Sequence, residues 1–161
     1  MRIALYQPDI AQNTGTILRL AACLGLGVDV IGPAGFDLSD RNLRRAGLDY
    51  LAHVEIVRHL DWAQFEVARH GAGRRLVLLT TKARTAFTDH AFAATDTMML
   101  GRESAGVPDS VHAAADARIH IPMRPAMRSL NVAVAAAMVV GEALRQTGGF
   151  ARPPSPAAAN G

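Results

Sequence analysis

Cysteine, lysine and aromatic residues are all scarce in this 161-residue chain. The single cysteine, Cys23, cannot close an internal bridge, so nothing asks for a disulfide scaffold or an oxidising compartment. One thiol cannot build a zinc knuckle either, and no histidine pair has metalloprotease spacing, so no metal is expected. Lys82 is the only lysine, and no glycine–lysine phosphate loop surrounds it. Gly25-Leu26-Gly27 lacks the third glycine of a dinucleotide fingerprint, and a serine-hydrolase elbow is missing. Aromatic residues make up 5%, which argues against a large base-stacking platform. The longest apolar run, Val132 to Gly141, is about half the ~20 residues a membrane-spanning helix needs. The opening Met1-Arg2-Ile3-Ala4-Leu5-Tyr6 has no signal-peptide layout. A cytoplasmic chain without a membrane partner is the expectation.

What is present suits one folded domain. Hydrophobic residues reach 50% and charged residues 19%, enough for a full core. The formal charge is +3, and its basic side is almost entirely arginine. Arginine makes bidentate contacts with phosphate and stacks on bases, so the bias would suit an RNA partner. Coding bias toward alanine and arginine would produce the same composition without any such role.

Short apolar runs alternate with helical patterns. Strands are expected at 3–6, 28–31, 54–57, 76–79, 98–100 and 118–121, and helices at 14–24, 40–47, 61–70, 108–114 and 129–146. Continuous apolar strands alternating with helices predict an α/β fold, a mostly parallel sheet with helices on both faces. Ligands of such sheets bind beyond the carboxyl ends of the strands, so chemistry is sought in the loops there. The domain is expected over residues 1–147. Residues 148–161, with Gly148-Gly149 and a Pro/Ala-rich run, have no packable pattern and read as a disordered tail. The histidines are scattered, and His53, His59 and His70 are expected on surfaces.

Three segments ask for more than a structural role. In Asn13-Thr14-Gly15-Thr16-Ile17-Leu18-Arg19, Asn13 or Thr14 can cap a helix whose core stripe is Ile17, Leu20, Ala21 and Leu24. Arg19 points roughly opposite that stripe, away from the chain's own core, where a solvated arginine would also sit. In Leu100-Gly101-Arg102-Glu103-Ser104-Ala105-Gly106-Val107-Pro108, Gly101 allows close approach of a ligand and Gly106 permits a turn. The third segment runs from Ile121-Pro122-Met123 through Arg128-Ser129-Leu130-Asn131. There Pro122 and Pro125 hold the loop extended, Ser129 or Asn131 caps the next helix, and exposed backbone groups can read an adenine or a ribose. The small residues Ala133, Ala135, Ala136, Ala137 and Gly141 allow close helix packing, inside the domain or across a dimer.

In this order and spacing the segments resemble the three motifs of the SPOUT-class RNA 2′-O-ribose methyltransferases. Motif one is similar to Asn13-x-Gly15-x-x-x-Arg19, motif two to Leu100-Gly101-x-Glu103-x-x-Gly106-Val107-Pro108, and motif three to Ile121-Pro122-Met123 leading to Ser129-Leu130-Asn131 and Glu142. The short length, Leu43 to Tyr50 and Leu79-Thr80-Thr81-Lys82 resemble the minimal branch of that family, which methylates the ribose of the tRNA wobble nucleotide at position 34, cytidine or modified uridine. The same reaction on another tRNA or rRNA nucleotide, or an RNA-binding module that keeps the fold without catalysis, stands as the alternative.

The resemblance implies a C-terminal trefoil knot and a homodimer with the active site between subunits. It implies S-adenosylmethionine as cofactor, held by Leu79, Gly101, Glu103, Ile121, Met123, Ser129 and Leu130. Arg19 and Asn13 take the catalytic positions, and tRNA is the partner. Ala133 and Gly141 depart from the pattern, which often carries Ser and Tyr there.

Overall fold

The computed structural model describes residues 1–37 and 48–151. Among these residues seven strands form one sheet: β1 (Arg2–Tyr6), β2 (Gly27–Ile31), β3 (Ile56–His59), β4 (Leu76–Leu79), β5 (Thr85–Ala86), β6 (Thr97–Leu100) and β7 (Ala117–His120). Their order is β3-β2-β1-β6-β4-β7-β5, and every pairing is parallel. The helices are α1 (Ala11–Leu24), α2 (Trp62–Gly71), α3 (Asp109–Ala114) and α4 (Val132–Thr147), with short 3-10 turns η1 (Leu48–His53) and η2 (Phe87–Asp89). The expected helix at 40–47 lies outside the described residues, as does the tail from 152 onward. No helix among the described residues is long and apolar enough to cross a membrane.

Strand alternation assigns the two faces. Ile3, Leu5, Val28 and Val30 meet Ile17, Leu18 and Ala21 of α1 and Ala133, Ala136, Val140 and Leu144 of α4. Ala4, Tyr6, Leu76, Leu78 and Met99 meet Phe65 of α2 and Val111 of α3 on the other face. Farther along the sheet, Val77, Met98 and Ile119 take Ala135, Val139 and Ala143 of α4. Helices thus cover both faces, as the alternation predicts. The β-carbons of Ala133, Ala135 and Ala136 are used against the chain's own sheet; only Val134, Ala137 and Met138 of that stretch face outward.

Several boundaries differ from the expected ones for local reasons. Helix α1 begins at Ala11, with Ile10 as a cap that contributes no side-chain bond, so Asn13 and Thr14 lie inside the helix and cap nothing. Helix α4 begins at Val132, and Asn131, not Ser129, caps it by accepting from the Ala133 and Val134 amides at 2.9 and 3.3 Å. Strand β3 starts two residues later than its apolar run suggests, which makes His59 its last residue and turns it inward. His59 is buried against Phe65, and its Nε2 lies 2.9 Å from Asp29. Asp29 in turn accepts from Arg2 Nε at 2.6 Å. Burial works against the Arg2 charge, but Asp29 and Glu55 more than offset it and raise the guanidinium above its ordinary value. This ionic cluster accounts for the burial of a histidine expected on the surface. His53 and His70 are exposed as expected.

Candidate functional site

A cleft of about 470 Å³ opens beyond the carboxyl ends of β4, β6 and β7. Its position follows from the topology: the chain builds β2 and β3 to one side of β1, then crosses to build the remaining strands on the other. Three loops wall it, those after β4, β6 and β7, together with the N-terminal end of α1.

The loop after β6 is a tight ring. Arg102 and Gly106 exchange both backbone bonds, Arg102 N–H donating to Gly106 at 3.0 Å and Gly106 N–H to Arg102 at 2.7 Å. Gly106 has φ +69°, the left-handed conformation that favours glycine. Gly101 is a glycine for a different reason than ligand access: a β-carbon there would sit 2.8 Å from the Gly106 carbonyl carbon. Its missing side chain makes room for the chain's own backbone, while its exposed side still lines the cleft.

Asp9 fastens this ring from outside. Its carboxylate accepts from Arg102 Nε at 2.6 Å, from the Ser104 amide at 3.1 Å and from the Ser104 hydroxyl. The Ser104 hydroxyl, with Arg102 and the Ser104 amide, holds the Asp9 carboxyl below its ordinary value despite some desolvation. The ring therefore remains clasped at neutral pH and loosens only when acid protonates Asp9 below the usual carboxylate range.

Glu103 ties the three sequence segments together. One carboxylate oxygen accepts from the Asp9 amide at 2.8 Å and the other from the Asn13 amide nitrogen at 3.2 Å. The Asn13 carbonyl oxygen accepts from Asn131 at 2.9 Å, and Asn131 caps α4. Residues 90 and 118 positions apart in sequence thereby form one chain of bonds along the cleft wall. Both ends of the Asn13 amide are committed to it.

The loop after β7 supplies the opposite wall. Pro125 does not keep it extended: the Met127 amide donates to Arg124 at 3.2 Å, and Ala126 takes φ +75°. That is the pattern of a type II turn with proline at its second position. Beyond the turn, Arg128, Ser129, Leu130 and Asn131 face the cleft.

Leu79, Gly101, Glu103, Ile121, Met123, Ser129 and Leu130 all line this one cleft, and Asn13 joins them. Arg19 does not. It lies six residues from Asn13, about 240° around α1 and about 9 Å along it. It is exposed, and its guanidinium carbon sits 4.7 Å from the centre of the Tyr50 ring. Sequence reasoning passed over Thr81, Arg128 and Ala135 as cleft-lining residues; loops carry no periodicity to mark the first two, and helical spacing marks Ala135 only as a core position. Glu142 of the third motif is outside the cleft wall, bonded by Arg145 and Gln146 of its own helix, which bring its carboxyl down to about 2. At Gly141 a β-carbon would meet nothing within 4 Å, so the chain's own packing does not demand the glycine.

The chain is similar to known proteins in sequence and in fold. A model of the SpoU rRNA Methylase family matches residues 1–141. A tRNA (cytidine(34)-2′-O)-methyltransferase of Beijerinckia indica subsp. indica is 61% identical over 93% of this chain and 94% of its own length. A solved structure described as giving insight into the 2-OH methylation of C/U34 on tRNA superposes with a TM-score of 0.85 at 39% identity, covering 90% of this chain and 94% of that one. The SpoU methyltransferase AviRb from Streptomyces viridochromogenes, solved in complex with the cofactor AdoMet, superposes with a TM-score of 0.81 at 29% identity, over 91% of this chain and 60% of that one.

Gly101→Ala should destabilise the protein by about 1–3 kcal/mol in urea denaturation without any ligand present, as overpacking against a fixed neighbour does. Unchanged stability would return that glycine to the ligand.

Proposed function

The chain belongs to the SpoU rRNA methylase family, and on that premise we propose that it methylates the ribose 2′-hydroxyl of the tRNA wobble nucleotide, position 34, using S-adenosylmethionine. The observation that carries the reading is the cleft at the carboxyl ends of β4, β6 and β7, walled by all three motif segments at once.

The residues present fit such a cofactor. A volume of about 470 Å³ is in the range of small-molecule sites, ~300–1,000 Å³. Leu79, Leu100, Val107 and Ile121 give apolar walls, and Thr80, Thr81 and Ser129 give hydroxyls among them. Leu79, Gly101, Ile121, Met123, Ser129 and Leu130 would hold the ligand, with Glu103 shaping the loop through Asp9 and Asn13 rather than offering a free carboxylate. When bound, S-adenosylmethionine supplies a sulfonium methyl already activated toward an oxygen nucleophile. The protein's part is to align the hydroxyl, keep water out and manage its proton.

Arg19 is the catalytic candidate for the last task, and Asn13 supports the site from within the bonded wall. Because Arg19 stands outside its own cleft, the reading includes a homodimer in which each cleft is completed by a second copy. Helices α1 and α4 lie side by side in the fold and both keep an outward face. Ile10, Leu130, Val134 and Met138 are 41–52% exposed on or just before these helices, and Ile10 and Leu130 of that apolar set also line the cleft. The trefoil knot belongs to the same reading: β6 lies between β1 and β4, β7 lies outside β4, and α4 returns from β7 to pack over β6, which is compatible with threading.

For the RNA, Lys82 and Arg84 follow β4, and Arg124 and Arg128 follow β7, its hydrogen-bonded neighbour. All four are exposed and, among the described residues, none is in an ion pair. Such cations on two sides of one cleft suit the phosphates flanking a target nucleotide.

Purified protein with S-adenosylmethionine and tRNA from a strain lacking the gene provides the test. Nucleoside mass spectrometry with fragment mapping should find new 2′-O-methylation at position 34. Methylation confined to another nucleotide, or none, would overturn the assignment. For the dimer, Met138→Glu should shift the protein from dimer to monomer in sedimentation velocity at micromolar concentration. A wild-type protein that sediments as a monomer while fully active would contradict that arrangement.

A further inference from the structure

We infer that Tyr50 is the positioning residue for Arg19: its ring seats the guanidinium and leaves the N–H groups to meet an anionic oxygen of the RNA. The inference rests on the reading of Arg19 as the catalytic arginine. Tyr50 lies in η1, which packs against α1, so the ring reaches Arg19 from a separate element. The guanidinium carbon lies 4.7 Å from the ring centre, inside the ~6 Å range of a cation–π contact.

Two features make this more than a chance surface contact. Arg19 is exposed and makes no hydrogen bond or ion pair among the described residues, so the Tyr50 ring is what limits its rotamers. By contrast, Arg2, Arg69, Arg75, Arg102 and Arg145 have their guanidinium N–H groups tied to carboxylates. A cation–π contact draws on the guanidinium charge and ties none of its N–H groups to an acceptor, whereas a carboxylate would occupy them. Arg19 is thus held in place without losing its donors. An arginine kept this way acts through charge and hydrogen bonding to substrate oxygen, a task that needs a fixed direction more than a proton vacancy.

Single-turnover methyl transfer at saturating tRNA and S-adenosylmethionine, on wild type, Tyr50→Phe, Tyr50→Leu, Arg19→Ala and the double variant Arg19→Ala/Tyr50→Leu, tests this. Tyr50→Phe keeps the ring and should stay within about twofold of wild type, whereas Tyr50→Leu should be slowed about tenfold. The tRNA KM should not move. In the Arg19→Ala background, Tyr50→Leu should have no further effect, because the two act as one unit. Tyr50→Leu at the wild-type rate beside a slow Arg19→Ala overturns the inference alone. Equal slowing by Tyr50→Leu with and without Arg19 also overturns it, since that marks a general structural role. A wild-type rate for Arg19→Ala removes the catalytic reading of Arg19 and the inference with it.

Discussion

The carboxylate of Glu103 bridges the Asp9 amide and the Asn13 side chain, and through Asn131 it reaches the cap of α4. The loop after β6, the start of α1 and the start of α4 are joined by that sequence of bonds. Without Glu103, the Asp9 amide and one end of Asn13 would lose their acceptors in a part-buried setting. An unsatisfied group of this kind typically costs ~1–3 kcal/mol. The charge matters as much as the geometry: an ionised acceptor bonds more strongly than a neutral one, so one side chain can hold two segments at once. Asp9 extends the clasp by fastening the Arg102–Gly106 ring, whose own closure requires glycine at 101 and 106. The cleft is therefore preorganised by polar bonds at its rim and by the apolar sheet beneath it.

This arrangement separates two jobs. The residues that would meet the cofactor sit on loops pinned to strand ends, so their positions are inherited from the sheet. Arg19 sits on the outer face of α1, away from those loops, with an aromatic ring as its support. The chain thus presents a cleft on one side and a cation on another, the division of labour that the proposed completion of each cleft by a second copy would use.

Much of this is legible in the sequence. Continuous apolar strands and amphipathic helices predict a parallel sheet covered on both faces because burial imposes those periods directly. The seven cofactor candidates gather in one cleft because the motif loops all follow strands whose ends lie side by side. What escapes the sequence is set by contacts between distant residues. The inward turn of His59 depends on Asp29 and Phe65, and the start of α1 at Ala11 has no side-chain cap to announce it. Gly101 reads as a gap for a ligand until Gly106 is seen against it. Asn13 reads as a helix cap, but its two polar ends belong to Glu103 and Asn131. The two-residue strand β5 is too short for any periodicity to reveal.

Because the clasp precedes any ligand, it can be tested on the cofactor-free protein by amide hydrogen exchange at neutral pH, comparing wild type with Glu103→Ala. Loss of the carboxylate should speed exchange by about tenfold or more at the Asp9 amide, and also at the Ala133 and Val134 amides that Asn131 caps. Amides in the middle of β1 and β2 should keep their wild-type rates. Unchanged exchange at the start of α4 would mean that the three segments hold their places independently, and that Glu103 does not join them.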